Sequence, residues 1–172
     1  MSIEEIPVEV LGSINNSVTS ITANNAASST RRSRIIPQRP LLDINKCDSA
    51  SLEALPGIGP VLSARIIKYR KLLGGFAATD QLREVYGLTE ETFNLISGRI
   101  FADTTVIKRL NINTADYKQL IRLPYFERYE VIAILKYREL NGKIFSMSDL
   151  VKNKLIVPET AIKVRSYLEF DE

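Results

Sequence analysis

The chain has 172 residues, 45% of them hydrophobic, with a formal charge of +3, a pI near 9.0, no His and a single Cys. That length allows one sizeable core or two small ones, and the mild positive charge permits a polyanionic partner without demanding one. One Cys and no His exclude a disulfide framework and a Cys/His zinc site within one chain, so Cys47 reads as a small semi-buried residue.

No stretch reaches the ~20 apolar residues that cross a bilayer. Glu4, Glu5 and Glu9 stand where a signal peptide carries positive charge. The expectation for the chain as written is a cytoplasmic protein, unless it forms the soluble part of a longer one.

Residues 1–40 read as a flexible low-complexity segment. Leu11 to Thr30 is dominated by Ser, Thr, Asn and Ala without a sustained period. The stretch "RRSRIIPQRP" follows, with Arg31, Arg32, Arg34 and Arg39. It reads either as a solvated linker end or as a mobile basic arm that touches phosphate.

From Leu41 the chain repeats itself at an offset of 68 residues. Leu42, Ile44, Asn45 and Asp48 recur as Leu110, Ile112, Asn113 and Asp116. Leu52, Leu55 and Pro56 recur as Leu120, Leu123 and Pro124, and Lys68-Tyr69-Arg70 as Lys136-Tyr137-Arg138. This ungapped match indicates a duplicated unit, over 41–102 and 103–172.

Each unit reads as four short helices, with no convincing strand, so the class is all-α. Asp48 is a plausible N-cap for a first helix running toward Leu55. Pro60 suits the first turn of the second, where its missing donor costs nothing. Val61, Leu62, Ala64, Ile66, Ile67 and Leu73 form that helix's apolar face, and Gly74-Gly75 stops it. Thr79 is expected to cap a third helix through Tyr86, and Thr89 a fourth through Ile96. In the second unit Ser146 and Asp149 make a start like a capping box, and Pro158 opens the last helix. The pattern predicts burial of Leu52, Leu55, Ile66, Ile67 and Leu82, and of Leu120, Leu123, Ile134, Leu135 and Leu150.

The turn "LPGIGP" at Leu55–Pro60 is the most informative stretch. Two glycines let a backbone approach a ligand closely, and the helix that follows offers free N–H groups and partial positive charge. Together these suit phosphate, contacted without sequence preference. The competing reading is a tight turn needed only for packing.

"DINKCDSASL" followed by "LPGIGPVLSARIIKYR" closely resembles the helix-hairpin-helix repeats of the ComEA-like bacterial competence DNA-binding proteins. The resemblance is strong over about 41–100 and weak over 109–170. It implies tandem four-helix domains and sequence-independent binding of duplex DNA, with DNA uptake or handling as the setting and a periplasmic or cell-surface location if the chain is part of a longer protein of that kind. It implies phosphate contact along Gly57, Ile58, Gly59, Val61 and Leu62, with the amides of Gly57, Gly59 and Leu62 as donors and Ser63, Lys68 and Lys71 as side-chain helpers. It implies a second hairpin at Gly87 and Thr89. It also implies a candidate monovalent cation on the carbonyls of Glu53, Leu55 and Ile58, and no other cofactor.

The chain departs from that pattern. In "YGLTEE" Thr89 replaces the second glycine, and Glu90 and Glu91 stand where phosphate should approach. "LPYFER" puts Tyr125 and Glu127 in place of both glycines, and "KLIVPE" has none. Tyr125 and Phe126 read either as an exposed knob for a protein partner or as core filling the space that glycine vacated. The "KYR" tripeptides read either as a DNA face or as one buried Tyr between solvated cations.

Residues 41–102 hold 7 basic and 7 acidic residues, and 103–172 hold 12 and 10, so binding to DNA is expected to be weak and sensitive to salt. The sequence has no His base, acidic metal cluster or nucleotide-phosphate loop, which argues against catalysis. The alternative to DNA binding is a protein-interaction scaffold built on eroded hairpins, with the second unit as the partner-binding part.

Overall fold

A computed structural model describes residues 40–170. The expectations for the N-terminal tail and its arginines lie outside that range. The first unit contains β1 (Leu42–Asp43), α1 (Ser49–Glu53), α2 (Pro60–Leu73), a 3-10 helix (Thr79–Glu84), α3 (Glu90–Ile96) and β2 (Ile100–Phe101). The second contains β3 (Leu110–Asn111), α4 (Tyr117–Leu120), α5 (Arg128–Asn141), α6 (Met147–Lys152), α7 (Pro158–Val164) and β4 (Leu168–Glu169). The offset of 68 carries the starts of all these elements in the first unit onto those of the second.

The fold is all-α, with one correction to the sequence reading. Each unit closes on a two-residue parallel bridge, Leu42 to Ile100 in the first and Leu110 to Leu168 in the second. Such bridges are too short for a period-2 pattern to announce. Among the described residues no helix is long and apolar enough to cross a membrane.

Local rules explain most helix boundaries. Asp48 caps α1 by accepting from the Ser51 N–H, and Thr89 caps α3 by accepting from Thr92. Pro60 and Pro158 open α2 and α7. Gly74 ends α2 in the left-handed region at φ +84°, where a side chain would press on the Lys108 carbonyl.

The third helix of the first unit differs from expectation. It is a 3-10 turn that ends at Glu84, preceded by Ala78 rather than capped by Thr79. Gln81 sets its start, because its Oε1 accepts from the N–H groups of both Ala77 and Ala78. In the second unit Ser146 caps the corresponding α6 and accepts from the Asp149 N–H. Asp149 completes the start by accepting from Phe145 rather than from Ser146.

The core sits beneath both hairpins of each unit. Leu52, Ile66, Leu82, Leu120, Leu123, Ile134 and Leu150 are buried, while Leu55, Ile67 and Leu135 are half-buried against them. Each fully buried Leu or Ile stabilises the fold by about 2 kcal/mol. Cys47 is also buried.

The repeated Asn has a structural role in both units. Asn45 donates to the carbonyls of Phe76 and Asp103 and accepts from the Phe76 N–H at 2.7 Å. Asn113 donates to the Ile144 carbonyl and accepts from its N–H. The "KYR" arginines act similarly: Arg70 donates to the carbonyls of Ile44 and Cys47, and Arg138 to that of Ala115. Tyr69 is half-buried between exposed Lys68 and half-buried Arg70, so the tripeptide serves the fold at its arginine and faces solvent at its lysine.

Candidate nucleic-acid interface

The intact hairpin joins α1 to α2, and its two glycines do different work. Gly57 lies at φ +81°, and a Cβ there would meet Thr92 Cγ2 at 3.0 Å. Backbone conformation therefore favours glycine at 57, and a side chain there would also press on Thr92 of α3. Gly59 is the N-cap of α2 at φ −100° and ψ 178°, extended backbone that any residue adopts. A Cβ at Gly59 would meet nothing within 4 Å. Packing accounts for the first glycine and not for the second. What Gly59 supplies is an open approach to the start of a 14-residue helix with no acidic residue in its first turn.

The donors at that opening are free. Ser63 takes the Gly59 carbonyl at 2.9 Å, and no hydrogen bond found among the described residues uses the N–H of Gly57, Gly59, Val61 or Leu62. Ile58, between the glycines, is buried and anchors the turn. Its N–H donates to the Leu55 carbonyl at 3.2 Å. Of the three carbonyls expected to hold a cation, those of Glu53, Leu55 and Ile58, that of Leu55 accepts this bond.

The side-chain helpers implied by the resemblance lie elsewhere. Ser63 is fully buried and its hydroxyl bonds to that of Ser49 at 2.7 Å, so it does not face a surface ligand. Lys68 and Lys71 are exposed but stand about 12 and 17 Å along α2 from Pro60, too far to share the phosphate of the first turn.

The second hairpin of the first unit packs beside the first. Gly87 lies at φ +89°, and a Cβ there would sit 2.5 Å from the Arg65 guanidinium. Arg65 donates to the Tyr86 carbonyl and lies over the Tyr86 ring at 4.7 Å, so it ties α2 to this hairpin. Thr89 occupies the N-cap with its hydroxyl engaged by Thr92. Glu90 is paired with Arg83, which leaves Glu91, among the described residues, as the unpaired carboxylate of that turn.

The second unit has turned its hairpins inward. Phe126 is buried in the core, which settles it as filling rather than a knob. Tyr125, at the place of Gly57, reaches into the first unit. Its hydroxyl donates to Glu84 at 2.8 Å and accepts from Gln81 Nε2 at 2.7 Å. Tyr69 donates to the same Glu84 oxygen, and Tyr167 completes the cluster through Gln81. Burial, then the Glu84 carboxylate, push the Tyr125 and Tyr69 phenols well above their ordinary range.

Glu130, which sequence reasoning missed, explains the rest of the loss. It is fully buried at the place of Leu62, and its carboxylate accepts from the N–H of Glu127 at 3.0 Å and of Val157 at 3.1 Å. These two amides begin α5 and α7, the counterparts of α2 and α3. An internal carboxylate thus occupies the counterparts of the Gly59 and Thr89 amides, the first of which the first unit leaves open. The signal was present as Glu-x-x-Glu across "ERYE", the spacing that lets a side chain reach back to its N-cap.

Among the described residues no group of three His, Cys, Asp or Glu is arranged to hold a metal ion. The family model described as the helix-hairpin-helix motif matches residues 38–101 and again 106–169. Endonuclease/exonuclease/phosphatase family domain-containing protein 1 of Xenopus laevis is 27% identical over 154 residues, covering 77% of this chain and 28% of that protein. The rat and human proteins of that name are 26% and 23% identical over 149 residues, covering 70% of this chain and 26% of theirs. The chain thus spans about a quarter of the length of the curated relatives it matches. No solved structure is significantly similar to it. With two tandem matches laid over two structurally equivalent units, the chain belongs to the helix-hairpin-helix family.

Proposed function

We propose that this chain is a non-catalytic, sequence-independent DNA-binding protein that holds the phosphate backbone through its first unit. One observation carries the reading: Gly59 is required neither by backbone conformation nor by packing, and it leaves the amides of Gly57, Gly59 and Leu62 open at the start of α2. The helix-hairpin-helix motif is in general a nucleic-acid-binding motif, which supports this. Gly87 and Thr89 form a weaker second contact, limited by Glu91. The carbonyls of Glu53, Leu55 and Ile58 are suited to a monovalent cation that would stiffen the turn.

The relatives' name suggests a setting in which such units present DNA to an endonuclease/exonuclease/phosphatase-type domain. The ComEA-like reading would instead place the chain in DNA uptake. The relatives named here are vertebrate proteins, so the proposal is confined to DNA handling. A second reading, a protein-interaction scaffold, is favoured by Leu140, Phe145 and Ile162, which are 69–78% exposed on the second unit.

The deciding experiment is binding of a random-sequence duplex at two salt concentrations by the wild type and by Gly59→Glu, which copies Glu127. Removing one or two phosphate hydrogen bonds should weaken binding by about 1–3 kcal/mol. Equal binding by both proteins, or no wild-type binding at low salt, would move the function to the scaffold reading.

A further inference from the structure

The two units meet at a cleft whose chemistry the hairpins do not explain. A cavity of about 540 Å³ opens between the C-terminal end of α2, the segment linking the units, and α4. Its lining includes Lys46, Arg70, Lys71, Lys108, Arg109 and Arg122, and no Asp or Glu. Two of the six are already committed. Lys46 pairs with Asp103, and Arg70 is held by backbone carbonyls. Arg122 donates to the Lys71 carbonyl, which holds its guanidinium at the cleft with its charge uncompensated. Lys71, Lys108 and Arg109 are exposed, and no ion pair among the described residues includes them.

A helix C-terminus attracts cations, which accounts for Arg70 and Lys71. It does not account for Lys108, Arg109 and Arg122, which come from two other segments. Apart from Lys46, no cation of the cleft has a carboxylate partner among the ion pairs of the described residues, so these like charges repel each other, and an anion relieves that cost. The fold itself holds the linker there: the Lys108 N–H donates to the Gly74 carbonyl at 3.0 Å, and Gly74 is the residue whose missing side chain admits Lys108.

We propose that this inter-unit cleft is a second phosphate-binding site, which takes the phosphodiester backbone of the same duplex that the first hairpin holds. Lys71 stands about 17 Å from the start of α2, and that distance equals about five base-pair rises of DNA. Lys68 extends the basic surface along the adjoining face of α2, where it lines a neighbouring cavity together with Arg65, Lys71 and Arg122. The cleft makes a chain of only +3 overall locally strongly cationic. It also gives Lys68 and Lys71, which are too distant from the hairpin amides, a ligand to meet. The inference rests on the DNA reading of the hairpin and has its own test.

Duplex binding is measured across a salt series for the full chain, Gly59→Glu, the pair Lys108→Gln with Arg109→Gln, and the pair Lys71→Gln with Arg122→Gln, with thermal melting to confirm folding. Each cleft pair should lower the slope of log affinity against log salt by about 0.9 for every phosphate no longer neutralised, or about 1.8 for two. An unchanged slope in both cleft pairs, with Gly59→Glu still weakened, overturns the cleft and leaves the hairpin. Reduced slopes with Gly59→Glu unchanged overturn the hairpin and keep the cleft as the DNA site. Absence of wild-type binding at low salt overturns both.

Discussion

The Tyr125 hydroxyl lies 2.8 Å from Glu84 Oε2 and donates to it, across 41 residues of chain and from one repeat to the other. Tyr125 occupies the place where the first unit has Gly57. The second unit has exchanged a hairpin that could admit a ligand for one that grips its neighbour. Tyr125→Phe removes this bond and the one from Gln81. Because Glu84 is exposed and regains water, the loss should be about 1–2 kcal/mol in urea denaturation. An unchanged midpoint would show that the cluster does not join the units energetically.

Gly57 and Gly59 should respond oppositely to alanine. Gly57→Ala forces a Cβ into the left-handed region and against Thr92, and should destabilise by about 1–2 kcal/mol. Gly59→Ala meets open space, so its folding stability should stay within about 0.5 kcal/mol of wild type, the loss of a favoured N-cap offset by reduced unfolded-state entropy. Chemical denaturation of the two variants checks this. A large cost at Gly59 would return that glycine to a packing role.

Glu130 should matter more to stability than any exposed acid. Glu130→Ala leaves the N–H groups that begin α5 and α7 without their acceptor and opens space in a buried site, at a cost of about 2–4 kcal/mol. Glu130→Gln keeps one acceptor and should lose about half of that. Amide exchange at Glu127 and Val157 provides a local readout, and protection there unaffected by Glu130→Ala would contradict the assignment.

Asp103 should impose an acid limit on the first unit. Hydrogen bonds from Lys46, and then from Thr105, hold its carboxyl down to about 2, below the ordinary 3.8, and Lys46 is raised in turn. A depressed carboxyl stabilises the fold above its unfolded value, so this contribution is present above about pH 4 and is lost as pH falls toward about 2. Asp103→Asn should flatten that part of the stability profile. An identical acid profile in the variant would remove the pair from the account.

Much of the fold was legible in the sequence because it follows from neighbours along the chain. The 68-residue offset and the helix starts at Asp48, Pro60, Thr89 and Pro158 depend on capping chemistry and on proline's missing donor, all within one helical turn. The glycine turn was equally visible, and its resemblance to a DNA-binding hairpin came from residues in direct succession. Tertiary structure decided what these features are for. That Gly57 is needed for packing while Gly59 is not depends on where Thr92 lies, 35 residues from one and 33 from the other. Glu130 reached the Val157 N–H across 27 residues. Tyr125 found Glu84, and cations from four segments gathered at one cleft, only when the units packed together. A residue's local pattern determines the element it joins, whereas its ligand or partner depends on which distant side chains the packed core brings within a few ångströms.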